Sequence, residues 1–473
     1  MINLNPFPYI NGNYCRNATG SELLVYNKYS GELMARVPQV SEKEIEPTIA
    51  SSIKAFKELR TILPAKRIEI LENLKLLLQQ QKEEFAQLIC SEAGKPHFYA
   101  KQEVERCLKT IQAGIRETGN ASGESLNVLD DRKFAFTQRF ATGPVLGITP
   151  FNFPLNLALH KIIPAIAVGT SIVLKAPPQA PLSLLKFAEL ITEAGAPSGT
   201  VNVLVCENSL AEKMVRDDRF SVLSFTGSDK VGWYLKSISG KKKVLLELGG
   251  NAPAIVDATA NLHQAAQQIA YGAFLYAGQI CISTQKIFVA EAVADNFRDL
   301  LLSETNAVKS GNPETDGVIN GPLIDQTVVE RTVNRIDEAL RCGANLLSGG
   351  KILNAESRIF APTIISHVDP ALSLQKDEVF APVAILETVR NTEHAVKLAN
   401  NSRFGLQCGV FCSDTEVFKT AYHELEYAAV LLNSAPGFRL DHLPYGGIKD
   451  SGQGREGIRY AMQEYTESRL AII

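Results

Sequence analysis

Five short motifs carry side chains able to do chemistry, and they follow one another through the middle of a 473-residue chain. Cys281, in Gly278-Gln279-Ile280-Cys281-Ile282-Ser283, could be a nucleophile, which needs a loop position and a lowered thiol pKa; an inert core cysteine is the alternative. Glu247, in Leu246-Glu247-Leu248-Gly249-Gly250-Asn251, is a carboxylate between leucines. Desolvation there raises its pKa and suits a general base, unless the Gly249-Gly250 amides satisfy it. In Pro150-Phe151-Asn152-Phe153-Pro154 two prolines fix the backbone around one amide. Asn152 could hold an oxyanion or simply cap a helix starting near Asn156. Lys175 ends the apolar run Ser171–Lys175, from which it could reach a ribose or phosphate oxygen, or snorkel to water. Phe225-Thr226-Gly227-Ser228-Asp229-Lys230-Val231-Gly232 joins a strand to a helix, where small residues let backbone N–H groups approach a pyrophosphate. It meets neither the GxGxxG nor the P-loop fingerprint.

The elements that must position these groups change rhythm along the chain. The first part is helical by pattern: 42–60 with Ser41 as N-cap, 66–89 with Ile68, Leu71, Leu74, Leu78, Phe85 and Leu88 on one stripe, and Pro96 to Ala121. Before them, Tyr9-Ile10-Asn11-Gly12-Asn13 signals a hairpin. From about 143, short apolar runs (Val145–Thr149, Ser171–Lys175, Val201–Val205, Val222–Phe225, Val244–Leu248) alternate with helical stretches near 156–168, 181–195 and 208–217. That is the pattern of βαβ units on a parallel sheet, whose ligands sit beyond the carboxyl ends of the strands. A second alternation begins after 252. Its apolar runs are Ala254–Val256, Ile287–Val289, Ala381–Ile385 and Val430–Asn433, and its helices lie near 258–277, 291–308 and 325–342. Glu464–Ile473 reads as a terminal edge strand, poised to pair with another subunit or domain.

Composition narrows the function. Lys+Arg 48 against Asp+Glu 51 gives a net charge of −3 and no basic block, which argues against a nucleic-acid partner. The most apolar stretch, Ile162 to Leu174, is interrupted by Pro164, Gly169, Thr170 and Ser171 and is too short for a membrane span of about 20 residues. The start Met1-Ile2-Asn3-Leu4-Asn5-Pro6 is not a signal peptide. Eight cysteines without a CxxC pair, and seven histidines without HxxxH or HExxH, indicate neither a disulfide framework nor a zinc site. The expectation is a metal-free protein of the reducing cytoplasm.

Taken together and in this order, the five motifs resemble the aldehyde dehydrogenase superfamily. Glu378-Val379-Phe380-Ala381-Pro382, Asn400–Gly405 and Pro444-Tyr445-Gly446-Gly447-Ile448-Lys449-Asp450-Ser451-Gly452 extend the likeness over nearly the whole chain. The resemblance implies an α/β protein with two open parallel-sheet domains: a Rossmann-like cofactor domain (1–122 and 142–247), a catalytic domain (248–453), and a small β arm (123–141 and 454–473) that makes a homodimer or homotetramer. It implies that Cys281 attacks an aldehyde carbonyl while Asn152 and the Cys281 N–H hold the oxyanion. Hydride then passes to NAD or NADP, and Glu247 activates the water that hydrolyses the thioester. Lys175, Gly227, Ser228, Leu248, Glu378 and Phe380 would hold the cofactor. Pro178 stands where NAD-preferring members carry a glutamate, so NADP should be tolerated. Intact Glu247 favours hydrolysis over acyl transfer to coenzyme A, the rival reaction within the family; a non-catalytic member is the other rival. The loop Ser434–His442 resembles that of relatives acting on small hydroxylated or anionic aldehydes such as lactaldehyde or phosphonoacetaldehyde. Arg439, Arg106 and Phe153 are the candidate substrate residues, although Arg439 could equally pair with Asp441.

Overall fold

The computed structural model describes residues 4–120, 123–130 and 132–473. The first three residues of the expected leaderless start, Ala121 at the expected end of the third helix, and the boundary at 122 lie outside them. Asn11 and Gly12 both take positive φ, 52° and 78°, and turn Tyr9–Ile10 back on Asn13–Tyr14 as the hairpin signal requires.

Two sheets dominate. The first runs Asn13–Tyr14, Tyr9–Ile10, Val201–Leu204, Ile172–Lys175, Val145–Ile148, Val222–Thr226, Lys243–Glu247, Gly452–Gln453. Its five middle strands are parallel and the outer ones antiparallel. Its parallel part begins at Val145–Ile148, in the middle, and then builds outward on both sides. The topological switch point therefore falls between that strand and Val222–Thr226. The second sheet runs Asn345–Ser348, Thr363–Ser366, Val383–Val389, Thr284–Ala290, Ala252–Val256, Gln407–Phe411, Ala429–Leu432, parallel except at its first pair. Helices cover these sheets and bury their apolar runs, which is why the strands read as continuous and not alternating.

Helix Glu42–Leu59 starts at Ser41 with a full capping box to Glu44. The single helix expected over 66–89 is two, Pro64–Gln80 and Lys82–Ala93. The apolar stripe has a seven-residue gap between Leu78 and Phe85, and Gln81 (φ −108°, ψ 16°) breaks the backbone inside it. Ile70, not Ile68, is the residue wholly buried at the stripe's start. The helix expected over 258–277 ends early, at Phe274, because Tyr276 and Ala277 turn left-handed.

The terminal strand Thr466–Ile472 pairs antiparallel with Ala135–Ala141 of the same chain. The helix Ile458–Glu464, within the stretch expected in the arm, instead packs on helices Asn156–Val168 and His97–Asn120. It adds Ile458 and Met462 to the first core.

Candidate active site

The loops leaving the carboxyl ends of both sheets meet at one cleft, a cavity of about 900 Å³ lined by Asn152, Lys175, Pro178, Gly227, Ser228 and Glu247, and by Leu248, Cys281, Glu378, Phe380 and Arg439. Residues separated by up to 287 positions are thus gathered by the ends of parallel strands.

Cys281 sits just past the left-handed turn at Tyr276 (φ 54°) and Ala277 (φ 55°). Two adjacent non-glycine residues in this region carry strain, and several bonds hold them. Tyr276 Oη donates to Ala93 O at 2.8 Å and its N–H donates to Ile319 O at 2.8 Å. Gln279 is fully buried. Its amide donates to Tyr276 O and Pro322 O and accepts from Ile324 N–H, so one side chain staples the turn to the following loop. Asn152 does not cap the helix Asn156–Val168; Glu103 does, accepting from the N–H groups of Leu155 and Asn156. Asn152 Nδ2 donates to Gln279 O at 3.0 Å, which aims the amide at the thiol loop and leaves its second N–H without a partner among the described residues. The Cys281 N–H makes no hydrogen bond among the described residues. Burial pushes the Cys281 thiol up to about 12, the neighbouring Glu378 charge adds to this, and a 3.0 Å contact with Tyr445 Oη opposes it.

Glu247 ends its strand with one carboxylate oxygen, Oε2, buried and without a partner. Burial, reinforced by the nearby Glu456 charge, holds its pKa well above the usual 4.5. The Gly249-Gly250 amides do not satisfy it. Gly250 N–H serves Glu378 instead, at 3.1 Å, and burial raises Glu378 to about 7. Two glycines leave room for these carboxylates: a Cβ on Gly249 would come 2.6 Å from Glu378 Oε2, and one on Gly446 (φ 152°) 2.7 Å from Glu247 Oε1.

The other end of the cleft fits a dinucleotide. Ser228 precedes the helix Asp229–Ile238 without a side-chain cap, leaving the helix N-terminus facing the cavity. Lys175 is not a snorkelling surface residue: it is 6% exposed, and burial lowers its pKa. Pro178 is exposed on the rim and contributes no carboxylate. Phe380 (φ 54°) packs edge-on against Phe151, ring centres 6.0 Å apart.

Two expected substrate residues are not on the cavity wall. Arg106 is held by both Asp441 oxygens, at 2.9 and 2.7 Å, and does not line the cavity, because the ion pair consumes its fork. Phe153 is 7% exposed, stacks beneath Lys95 at 3.7 Å, and belongs to the apolar cluster of Ile280, Ile282 and Tyr445 against which Cys281 packs. Arg439 does line the cavity. Its contacts are long: Glu456 at 3.3 Å and Asp441 at 3.9 Å, with Nε unpartnered. Glu456 also receives Lys161 at 2.9 Å. Burial alone would raise Glu456 and Asp441, but the surrounding cations outweigh it and hold both below the usual carboxylate range. His160, whose pKa burial lowers, donates Nε2–H to Asp441 at 2.9 Å. Lys161, Glu456, Tyr445 and Gln279 are site residues without an assigned role in the sequence reading. The available signal is a His-Lys pair inside the otherwise apolar helix Asn156–Val168.

Comparison with known proteins agrees with this geometry. The profile of the aldehyde dehydrogenase family matches residues 14–471. The chain is 35% identical over 470 residues to a 3-sulfolactaldehyde dehydrogenase of Priestia aryabhattai, covering 98% of this chain and 97% of that protein. It is 37% identical over 456 residues to a lactaldehyde dehydrogenase of Methanocaldococcus jannaschii, covering 95% and 96%. The crystal structure of an NADP-dependent glyceraldehyde-3-phosphate dehydrogenase from Bacillus halodurans, complexed with NADP, superposes with a TM-score of 0.95 at 32% identity, covering 100% and 99%. A cysteine, an amide and an elevated carboxylate converging beside a dinucleotide cleft thus accord with the comparisons: the chain belongs to the aldehyde dehydrogenase family, NAD(P)-dependent oxidoreductases that convert aldehydes to acids.

Proposed function

We propose that this enzyme oxidises a small 2-hydroxylated or anionic aldehyde to its carboxylic acid. The observation that carries the substrate class is Arg439. Arg106 is held by both Asp441 oxygens and Lys161 by Glu456 at 2.9 Å, whereas Arg439, the one of these three cations that lines the cavity, makes only looser contacts, 3.3 Å to Glu456 and 3.9 Å to Asp441. The aldehydes named by the relatives (lactaldehyde, sulfolactaldehyde, glyceraldehyde 3-phosphate) share a 2-hydroxyl, and two are anions.

Each residue has a chemical task. Cys281, its thiol proton released to solvent, forms the C–S bond to the carbonyl carbon as the C=O π bond opens, and the oxyanion is received by the second Asn152 N–H and the Cys281 amide. When bound, the nicotinamide dinucleotide supplies the hydride acceptor. Lys175, Gly227, Ser228 and Leu248 would hold its adenosine and pyrophosphate end, and Glu378 with Phe380 its nicotinamide ribose. Glu247 then takes a proton from water as that water attacks the thioester carbon; the C–S bond breaks and the thiol returns. Pro178, presenting no carboxylate to a 2′-phosphate, supports acceptance of NADP. Eight free cysteines suit a reducing cytoplasm. The exposed apolar residues of the arm suit a homodimer or homotetramer.

The test is the initial rate with NAD and with NADP across propanal, lactaldehyde and glyceraldehyde 3-phosphate, with the product identified. The expected result is kcat/KM at least about tenfold higher for the 2-hydroxylated aldehydes, the size of one good polar contact, with the free acid as product. Equal rates with propanal would overturn the substrate class. An acyl-CoA product on adding coenzyme A would overturn the hydrolytic step.

A further inference from the structure

Tyr445 is the one side chain among the described residues within hydrogen-bond distance of the Cys281 sulfur. Its Oη lies 3.0 Å from Sγ and has no other hydrogen-bond partner among the described residues. Its backbone is pinned by a two-bond bridge to Glu456 (Tyr445 N–H to Glu456 O at 3.0 Å, Glu456 N–H to Tyr445 O at 2.7 Å). The ring is 7% exposed and packs with Leu406, Ile280 and Ile282. Behind it lies the Arg439 guanidinium, 3.6 Å from the ring centre.

We infer that the Tyr445 hydroxyl, backed by Arg439, is the donor that stabilises the Cys281 thiolate. While the thiol holds its proton, either atom can donate in the Tyr445–Cys281 contact. Once the sulfur is ionised, only the phenol can, and a neutral, weak bond becomes a charge-assisted one. The guanidinium against the ring draws electron density from the hydroxyl and strengthens it as a donor. The phenol itself keeps its proton, because burial holds Tyr445 well above 10. The charged or titratable groups that face the thiol are Tyr445, Glu378, Arg439, Glu247 and Tyr99. Glu378 and Glu247 oppose ionisation, and Tyr445 and Arg439 favour it. Of these, Tyr445 is the one in hydrogen-bond contact with the sulfur.

The inference rests on Cys281 being the nucleophile proposed above, but its test does not require turnover. The rate of iodoacetamide alkylation at one fixed, mildly alkaline pH is followed on the Cys281 peptide by mass spectrometry in the wild-type chain, in Tyr445→Phe, and in a chain carrying 3-fluorotyrosine at position 445. Tyr445→Phe should slow it by about 10–100-fold, the thiolate fraction lost with a hydrogen bond to a charged acceptor. The more acidic fluorinated phenol, which preserves the packing, should quicken it; this arm carries the test if Tyr445→Phe fails to fold. Rates unchanged in both would overturn the inference. Changed rates in an enzyme that oxidises no aldehyde would instead overturn the functional reading and leave the thiol–phenol coupling standing.

Discussion

An isolated glutamate ionises near pH 4.5, and Glu247 lies well above that because its strand end is dry and Glu456 is close. The shift has a direct kinetic consequence. Hydrolysis needs the ionised form, so activity should rise with pH through the elevated pKa, placing the acid limb of kcat above the ordinary carboxylate range. Glu247→Gln keeps the shape and removes the base. Stopped-flow absorbance should then show a burst of reduced cofactor approaching one per active site, followed by turnover slower by roughly 10²–10⁴-fold, with the acid limb gone. Burst-free progress at the wild-type rate would remove Glu247 from the mechanism. The same dryness explains why the neutral Cys281 thiol is the resting form, and why donors arranged around the sulfur matter.

At the scale of elements, the site depends on helices that the chain ties together through buried charge. Glu103, on the helix His97–Asn120, accepts from the first amides of Asn156–Val168 with one oxygen and from Lys95 with the other; both members of the pair are fully buried. The Lys95 ammonium sits among the rings of Phe153, Tyr99 and Tyr276, so it links the Asn152 loop to the turn that carries Cys281. Glu103→Gln retains an acceptor for the amides but strands a cation in an aromatic box. The expected cost is about 3–5 kcal/mol of unfolding free energy in urea titration, most of it restored by adding Lys95→Met. Additive penalties in the double variant would show that the two residues do not act as a pair.

For the whole molecule, the unusual surface is the arm. Leu470 and Ile472 on the small sheet formed by Ser125–Leu126, Ala135–Ala141 and Thr466–Ile472, and Leu129, Phe134 and Ile473 beside it, are all more than half exposed. Leu470 and Ile472 share one face of the last strand by the two-residue period. If that face joins subunits, Leu470→Glu with Ile472→Glu should halve the mass in sedimentation velocity while leaving far-ultraviolet circular dichroism unchanged. An unchanged mass would locate assembly elsewhere.

How much of this is legible in the sequence depends on distance along the chain. Strands Val145–Ile148 and Ile172–Lys175, and the helix after Ser41, follow from local periodicity and capping, since those signals act within a few residues. The identities of Cys281, Glu247 and Asn152 are likewise visible, because their chemistry resides in residue type and in the motif order. The early end of the helix at Phe274 and the left-handed Tyr276 are not, because bonds to Ile319, Ala93 and Pro322 hold that turn from remote segments. The fates of Arg106, Arg439 and Phe153 are set the same way. Each cation or ring takes its meaning from partners up to 335 positions away, and only folding decides that Asp441 consumes Arg106 while Arg439 is left on the cavity wall behind Tyr445. Residue type and order determined which chemistry this chain could perform. The convergence of strand ends, with the desolvation and charge balance it creates, decided which side chains are free to perform it.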